Sequence, residues 1–246
     1  MSAEILDRLQ QINARIQQAC TRSQRNADSV KLLLATKTVP ANRIKTALEA
    51  GYTLIAENKV QELKEKYDAL EAVPHENHFI GHLQTNKIKD LLKYSVTCLQ
   101  SLDRADLAEK LHQRLQLEGK KMTVLIQVNT SGEESKFGVA PEGALQLVKQ
   151  VSRLDTLQIK GLMTIGLLST ETEKVRQCFQ LLRSLQQQII AAAIPGVAMD
   201  ELSMGMSGDM ETAIEEGATI VRVGTAVFGQ RPTPDSYYWN ESVNVR

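Results

Sequence analysis

The stretch LLLATKTVP (32–40) runs apolar residues into an ammonium group, Lys37, just before a turn at Pro40. Held in partly dry surroundings near other positive groups, a lysine shifts toward its neutral amine and becomes a nucleophile for carbonyl compounds. Farther along, SMGMSGDMETAIEEG (203–217) offers a different chemistry. Ser207 is placed to cap a helix running to Gly217, with Gly208 opening the backbone beside it. Amide groups at such a helix start, aided by the helix dipole, favour an anion. VRVGTAVFG (221–229) then ends an apolar run at Gly224 and Thr225. Taken singly, these strings have plain alternatives: a solvated loop lysine and a pair of tight turns.

Bringing them together is a task for the elements between them. The runs KLLLATK (31–37), TLIAEN (53–58), HFIGH (78–82), VTCLQS (96–101), TVLIQVN (123–129), IKGLMTI (159–165), ELSMGM (201–206) and IVRVGTA (220–226) read as eight strands. Helical spacing fills the gaps. Ile44, Ala47 and Leu48 form one pattern stopped at Gly51, and Val60, Leu63, Tyr67 and Leu70 form a second. Leu107, Leu111 and Leu115 form a third, opened by Asp103 and stopped at Gly119. A leading amphipathic helix carries Ile5, Leu6, Leu9, Ile12 and Ile16. Alternation of this kind predicts an α/β fold with a parallel sheet and helices outside it, and eight units suit one (β/α)8 TIM-type barrel. No linker or composition break divides residues 1–246, which read as a single domain. A doubly wound sheet would want a glycine-rich turn after the first strand, and ATKTVPANRI has none.

A barrel builds its site from the carboxyl ends of its strands. Those ends carry Lys37, Asn58, His82 (followed by Gln84 and Asn86), Ser101, Asn129, and Met163 with Thr164. The last two strands add Ser203 and Ser207, then Arg222, Gly224 and Thr225. A lysine on one side of the mouth and a phosphate cradle on the other suggest pyridoxal 5′-phosphate. That molecule brings an aldehyde for a lysine Schiff base and a phosphate for a backbone nest.

The strings LLLATKTVP, IAENKVQEL, HFIGHLQTNK, VNTSGEESKFG, GLMTIG and LSMGMSGDMETAIEEGATIVRVGTAVFG occur in this order along most of the chain. Together they resemble the pyridoxal phosphate homeostasis proteins. The resemblance implies a barrel similar to the N-terminal domain of alanine racemase, with an extra N-terminal helix. It implies that Lys37 carries the cofactor as an internal aldimine, that Asn58 and His82 lie against it, and that Met163 belongs to the surrounding wall. Ser203, Ser207, Gly208, Gly224 and Thr225 would hold the phosphate, and Arg222 would face the pyridine nitrogen. The implied role is vitamin B6 homeostasis: the protein holds the cofactor reversibly and buffers it or delivers it to cofactor-dependent apoenzymes.

An arginine at the ring nitrogen cannot accept its proton, so the ring would stabilise a carbanion poorly. That disfavours transamination and decarboxylation, while racemisation stays conceivable because alanine racemase itself uses an arginine there. It would need a second acid/base, which in that enzyme comes from the partner subunit's C-terminal domain, a domain this chain is expected to lack. Tyr52, Tyr67, Tyr94, Tyr237 and Tyr238 stand at helical or terminal positions and are not expected to be catalytic. The expectation is therefore a monomeric, non-enzymatic carrier. A small racemase-like enzyme and a cofactor-sensing regulatory module stay open as alternatives.

Composition narrows the field further. Basic and acidic residues number 29 each, a balance that argues against coating nucleic acid or a membrane surface. No apolar run is long enough to span a membrane, and the N-terminus lacks a signal-peptide core. Cys20, Cys98 and Cys178 are spaced for neither a disulfide framework nor a zinc site, so they read as buried thiols of a cytoplasmic protein, and no metal is expected. NTSGEESKFGVAPEG (129–143) reads as a solvated loop, the alternative being a lid with Lys136 reaching inward as a secondary amine. NKVQELKEKYDALE (58–71) reads as a charged outer helix face, or else as a docking surface for a client enzyme.

Overall fold

The computed structural model describes residues 2–230, without the side chain of Ser2; Tyr237 and Tyr238 lie outside the described residues. Eight parallel strands close into a barrel in sequence order. They are β1 (Lys31–Ala35), β2 (Leu54–Glu57), β3 (Glu76–Phe79), β4 (Val96–Leu102), β5 (Met122–Gln127), β6 (Leu157–Met163), β7 (Glu201–Ser203) and β8 (Ile220–Val223). β1 pairs with β8 from Lys31↔Ile220 to Leu34↔Val223, which shuts the cylinder. Most strands stop short of the apolar strings that signal them, because the last residues of each string leave the ladder to line the mouth. Between them lie α2 (Ala41–Glu49), α3 (Val60–Leu70), α4 (Ile88–Leu91), α5 (Ala105–Glu118), α6 (Ala144–Val151), α7 (Thr172–Ala191), α8 (Met210–Glu215) and α9 (Thr225–Phe228), after the leading α1 (Ser2–Arg22).

Strand period two sorts the side chains into two cores. Leu34, Ile55, Leu99, Val124, Ile126 and Leu162 face outward into a layer shared with the helices. Leu33, Ala56, Cys98, Leu125, Met163 and Ile220 face the lumen and form a separate, smaller cluster. The lumen is only half apolar, since His78, Gln100, Ser203 and Arg222 are buried there too.

Several local readings need correction. Ser207 does not cap a helix: α8 begins at Met210 after Asp209, whose carboxylate accepts the N–H of Met206. Asp103 does not open α5, which is preceded by Arg104, although Gly119 does end it in the left-handed region (φ 63°). In α1, Ile5, Leu9, Ile12 and Ile16 are buried as expected, with Ala19 and Cys20, while Leu6 lies at the exposed edge. This helix packs against α2, α8 and α9. Arg15 reaches from it to both carboxylate oxygens of Glu211 (2.6 and 3.0 Å) and to the carbonyl of Ser207 (3.1 Å). All three cysteines are buried free thiols. Among the described residues, no helix is long and apolar enough to cross a membrane, and no cluster of side chains could hold a metal.

Candidate functional site

The lumen-facing parity of each strand, continued past its end, delivers the residues of one cavity. In β1 the parity runs Lys31, Leu33, Ala35, Lys37; in β2 it runs Leu54, Ala56, Asn58; in β3, His78, Ile80, His82. β6 continues from Met163 to Ile165, and β8 gives Arg222 and then Gly224. The cavity at the carboxyl mouth has a volume of about 240 Å³. Lys37, Asn58, His82, Met163, Ser207, Gly208, Arg222, Gly224 and Thr225 all line it.

Ser203 does not. Its fully buried hydroxyl donates to Gln100 Oε1 (2.6 Å) and accepts from Arg222 Nη1 (2.9 Å). It lies beneath Arg222 and braces it, outside the cavity lining. The other guanidinium arm donates to the carbonyl of Thr164 (2.7 Å). Burial lowers Arg222 to about 10, against the pull of the Asp209 carboxylate, which leaves it cationic at neutral pH. Gln100 continues the chain to His78 Nδ1 (2.7 Å), so a buried polar thread runs from the cavity floor through the barrel axis.

Lys37 is nearly buried, two residues past β1. Asn58 follows β2 directly, and the chain of β3 crosses it closely: a Cβ on Gly81 would stand 1.9 Å from the Asn58 carbonyl oxygen, so only glycine fits. Ser101, at the end of β4, donates to the Gly81 carbonyl (2.5 Å) and fixes that crossing. His82 stacks on Phe137 with ring centroids 3.9 Å apart and 17° between planes. Its Nδ1 stands 3.7 Å from Asp103 Oδ2, an ion-pair distance too long for a hydrogen bond. Burial would raise the Asp103 carboxyl, but His82 and Arg104 outweigh it and hold it below its ordinary value.

Eight cavity residues escaped sequence reasoning, and two of them are instructive. Gln127 is one, although the alternation of β5 through Leu125 signals a lumen position. Phe137 is the other, an aromatic in an otherwise polar loop, which is itself a signal. The loop 129–143 is a folded strap, with Gly132, Glu134, Ser135, Ala140 and Glu142 exposed. Val128 bridges Val139, Gln127 donates to the Phe137 carbonyl, and the Asn129 amide ties the carbonyls of Glu133 and Lys136. Lys136 Nζ bonds the Gly166 carbonyl (2.8 Å) and pairs with Glu133, and it does not line the cavity. Asn129 thus serves the strap, not the site.

Three features fit an anionic, carbonyl-bearing aromatic. Asn58 Oδ1 and His82 Nδ1 are buried with no hydrogen-bond partner among the described residues. The N–H groups of Ser207 and Gly208 likewise have no acceptor there, and Thr225, first residue of α9, has none within its helix. Lys37 brings an amine to the same space.

Comparison with known proteins agrees with this geometry. Residues 8–232 match the family described as alanine racemase, N-terminal domain. The pyridoxal phosphate homeostasis protein of Aquifex aeolicus is 44% identical over 225 residues, covering 92% of this chain and 97% of that one. The human protein of the same name is 36% identical, covering 92% and 88%. The chain belongs to the pyridoxal phosphate homeostasis protein family. Among solved structures, a protein from Bifidobacterium adolescentis is similar with a TM-score of 0.87 and 40% identity, over 92% of this chain and 95% of that one. Another family-like structure, PipY of Synechococcus elongatus with PLP bound, gives 0.77 and 33%, over 89% and 100%. An alanine racemase of Clostridium difficile shares the fold (TM-score 0.74, 15% identity), and this chain spans 58% of its length.

Proposed function

We propose that this protein, a single barrel domain over residues 1–246, binds pyridoxal 5′-phosphate reversibly and serves vitamin B6 homeostasis by buffering the cofactor or delivering it to apoenzymes in the cytoplasm. The observation that carries the reading is one cavity lined by Lys37 together with Ser207 and Gly208, whose amides have no acceptor among the described residues. The family membership and the PLP-bound relative support it.

When bound, the cofactor supplies an aldehyde carbon that an amine can hold covalently. The chain's own residues do the rest. Lys37 offers the amine, Asn58 and His82 offer buried polar atoms to the ring substituents, and Met163 gives an apolar wall. Ser207, Gly208, Gly224 and Thr225 offer the phosphate corner, while Arg222, braced by Ser203 and Thr164, presents a cation that cannot take a proton. That last feature supports a carrier over an enzyme, and we read the protein as acting alone, as a monomer. Among the described residues no tyrosine lines the cavity.

The Asp103-backed His82 favours a second reading, a weak racemase-like activity. It predicts deuterium exchange at Cα of alanine or serine in the presence of cofactor, lost in His82→Ala; no exchange in wild type removes it. For the leading reading, purified protein given pyridoxal 5′-phosphate is expected to turn yellow and, after borohydride, to carry a pyridoxyl group on Lys37 by mass spectrometry. Lys37→Ala is expected to stay colourless. A wild type that cannot be loaded would remove the central claim.

A further inference from the structure

A buried charge cluster lies on the other side of the barrel wall from the Lys37 amine. Thr36 continues the outward parity of Leu34, and Glu57 that of Ile55, so both face α3. Glu57 is 2% exposed and Lys66, from α3, is 8% exposed. Lys66 Nζ donates to Glu57 Oε1 (2.8 Å) and to the Thr36 carbonyl (2.9 Å), and pairs with Glu62 Oε2 (2.5 Å). The Thr36 hydroxyl donates to the same Glu57 oxygen (2.6 Å). Glu62 Oε2 in turn accepts the backbone N–H of Thr38 (3.1 Å), a residue held at φ 63°, where non-glycine residues are rarely found. The residues immediately before and after Lys37 are thus both tied to one three-member cluster.

Such a cluster is a costly way to fill a wall. Burying the Glu57 carboxylate and the Lys66 ammonium, with Glu62 half-buried beside them, loses hydration that their mutual attraction only partly returns, and apolar side chains of similar volume would hold helix to strand at least as well. What apolar residues could not do is bond the Thr36 carbonyl and the Thr38 amide at once. We propose that Glu57, Glu62 and Lys66 are positioning residues for Lys37: they fix the Thr36–Thr38 backbone from outside the barrel, so that the lysine amine stays aimed into the cavity. The inference rests on the reading of Lys37 as the attachment amine.

The test compares full-length wild type with Glu62→Ala, Lys66→Met and the conservative Glu62→Gln, which keeps an acceptor for the Thr38 amide. Attachment of pyridoxal 5′-phosphate is followed by visible absorbance and by the borohydride-fixed Lys37 peptide. Affinity for pyridoxine 5′-phosphate, which has no aldehyde, is measured by calorimetry. In Glu62→Ala and Lys66→Met, attachment is expected to slow by about tenfold or more, while pyridoxine 5′-phosphate affinity stays within about twofold; Glu62→Gln should recover most of the rate. Equal losses in both quantities, or attachment at the wild-type rate, would overturn the proposal. A second arm needs no cofactor: reductive methylation with formaldehyde, read peptide by peptide. Loosening the backbone is expected to raise the Lys37 labelling rate in Glu62→Ala at least about threefold relative to the exposed Lys149. An unchanged rate overturns the positioning role, even if wild type never acquires a pyridoxyl group and the proposed function has already fallen. Glu62 is partly exposed, so its variant carries both arms if Lys66→Met fails to fold.

Discussion

Ser203 shows how a single hydroxyl sets the character of the cavity floor. It is bonded on both sides, to Gln100 and to Arg222, and no water reaches it. Ser203→Ala leaves a buried amide oxygen and a guanidinium N–H without partners, and unmet buried groups are the expensive outcome in hydrogen-bond energetics. The expected loss is about 2 kcal/mol in urea unfolding, with an unchanged denaturant slope. A variant as stable as wild type would show that Arg222 finds another partner. The family resemblance implies this serine at the phosphate, together with Ser207, Gly208, Gly224 and Thr225. In the structure Ser203 is buried beneath Arg222 and does not line the cavity that Ser207 lines.

At the scale of elements, α1 and the strap 129–143 change the picture most. Read alone, α1 is an amphipathic helix with no stated task. In the fold its Arg15 holds the Ser207 carbonyl and Glu211 together, bracing a turn that lines the cavity. Burial would raise Glu211, but Arg15 keeps its carboxyl below the usual range. Both partners are partly exposed, so Arg15→Ala should cost no more than about 1 kcal/mol of stability. The larger effect is expected on binding: affinity for pyridoxine 5′-phosphate should fall by about tenfold, or ~1.4 kcal/mol, because the amides of Ser207 and Gly208 lose their brace. Calorimetry decides it, and an unchanged affinity would leave α1 a purely structural cover. The charged stretch 58–71 is a matching lesson. It does form an outer helix, yet Lys66 turns inward to meet Glu57, which charge spacing alone cannot signal.

For the whole molecule, two buried groups set opposite pH slopes. Burial, with a contribution from Lys31 and against Glu201, lowers His78 to about 4; Glu76 lies 4.0 Å from its Nε2. The folded state then holds fewer protons than the unfolded one between about pH 4 and 6.5, so this group adds stability as pH rises through that window. Burial raises Glu57 to about 7, against Lys66 and Thr36 and with Glu62 adding to the rise. Here the folded state holds more protons between about 4.5 and 7, and stability is lost as pH rises through it. Each effect is worth ~3 kcal/mol at most, so together they flatten the wild-type profile in the shared range. Urea unfolding between pH 4.5 and 7.5 should separate them. Relative to wild type, His78→Gln should lose stability more steeply with rising pH, and Glu57→Gln should gain it. Parallel profiles for all three would mean that burial shifts the proton affinity of neither group.

The sequence by itself determined the barrel, because eight short apolar runs alternating with helical patterns are local periodicities that any fold must honour. It also determined the cofactor class and most of the cavity lining, since polar residues ending apolar strands in a barrel have only one mouth to meet at. Tertiary structure alone decided which of those polar residues serve the ligand and which serve each other. Ser203 bracing Arg222, Phe137 stacking on His82, Arg15 holding the Ser207 turn and Lys66 gripping the flanks of Lys37 are contacts between distant segments. Their existence depends on angles and distances between elements, and residue type and spacing carry no record of those.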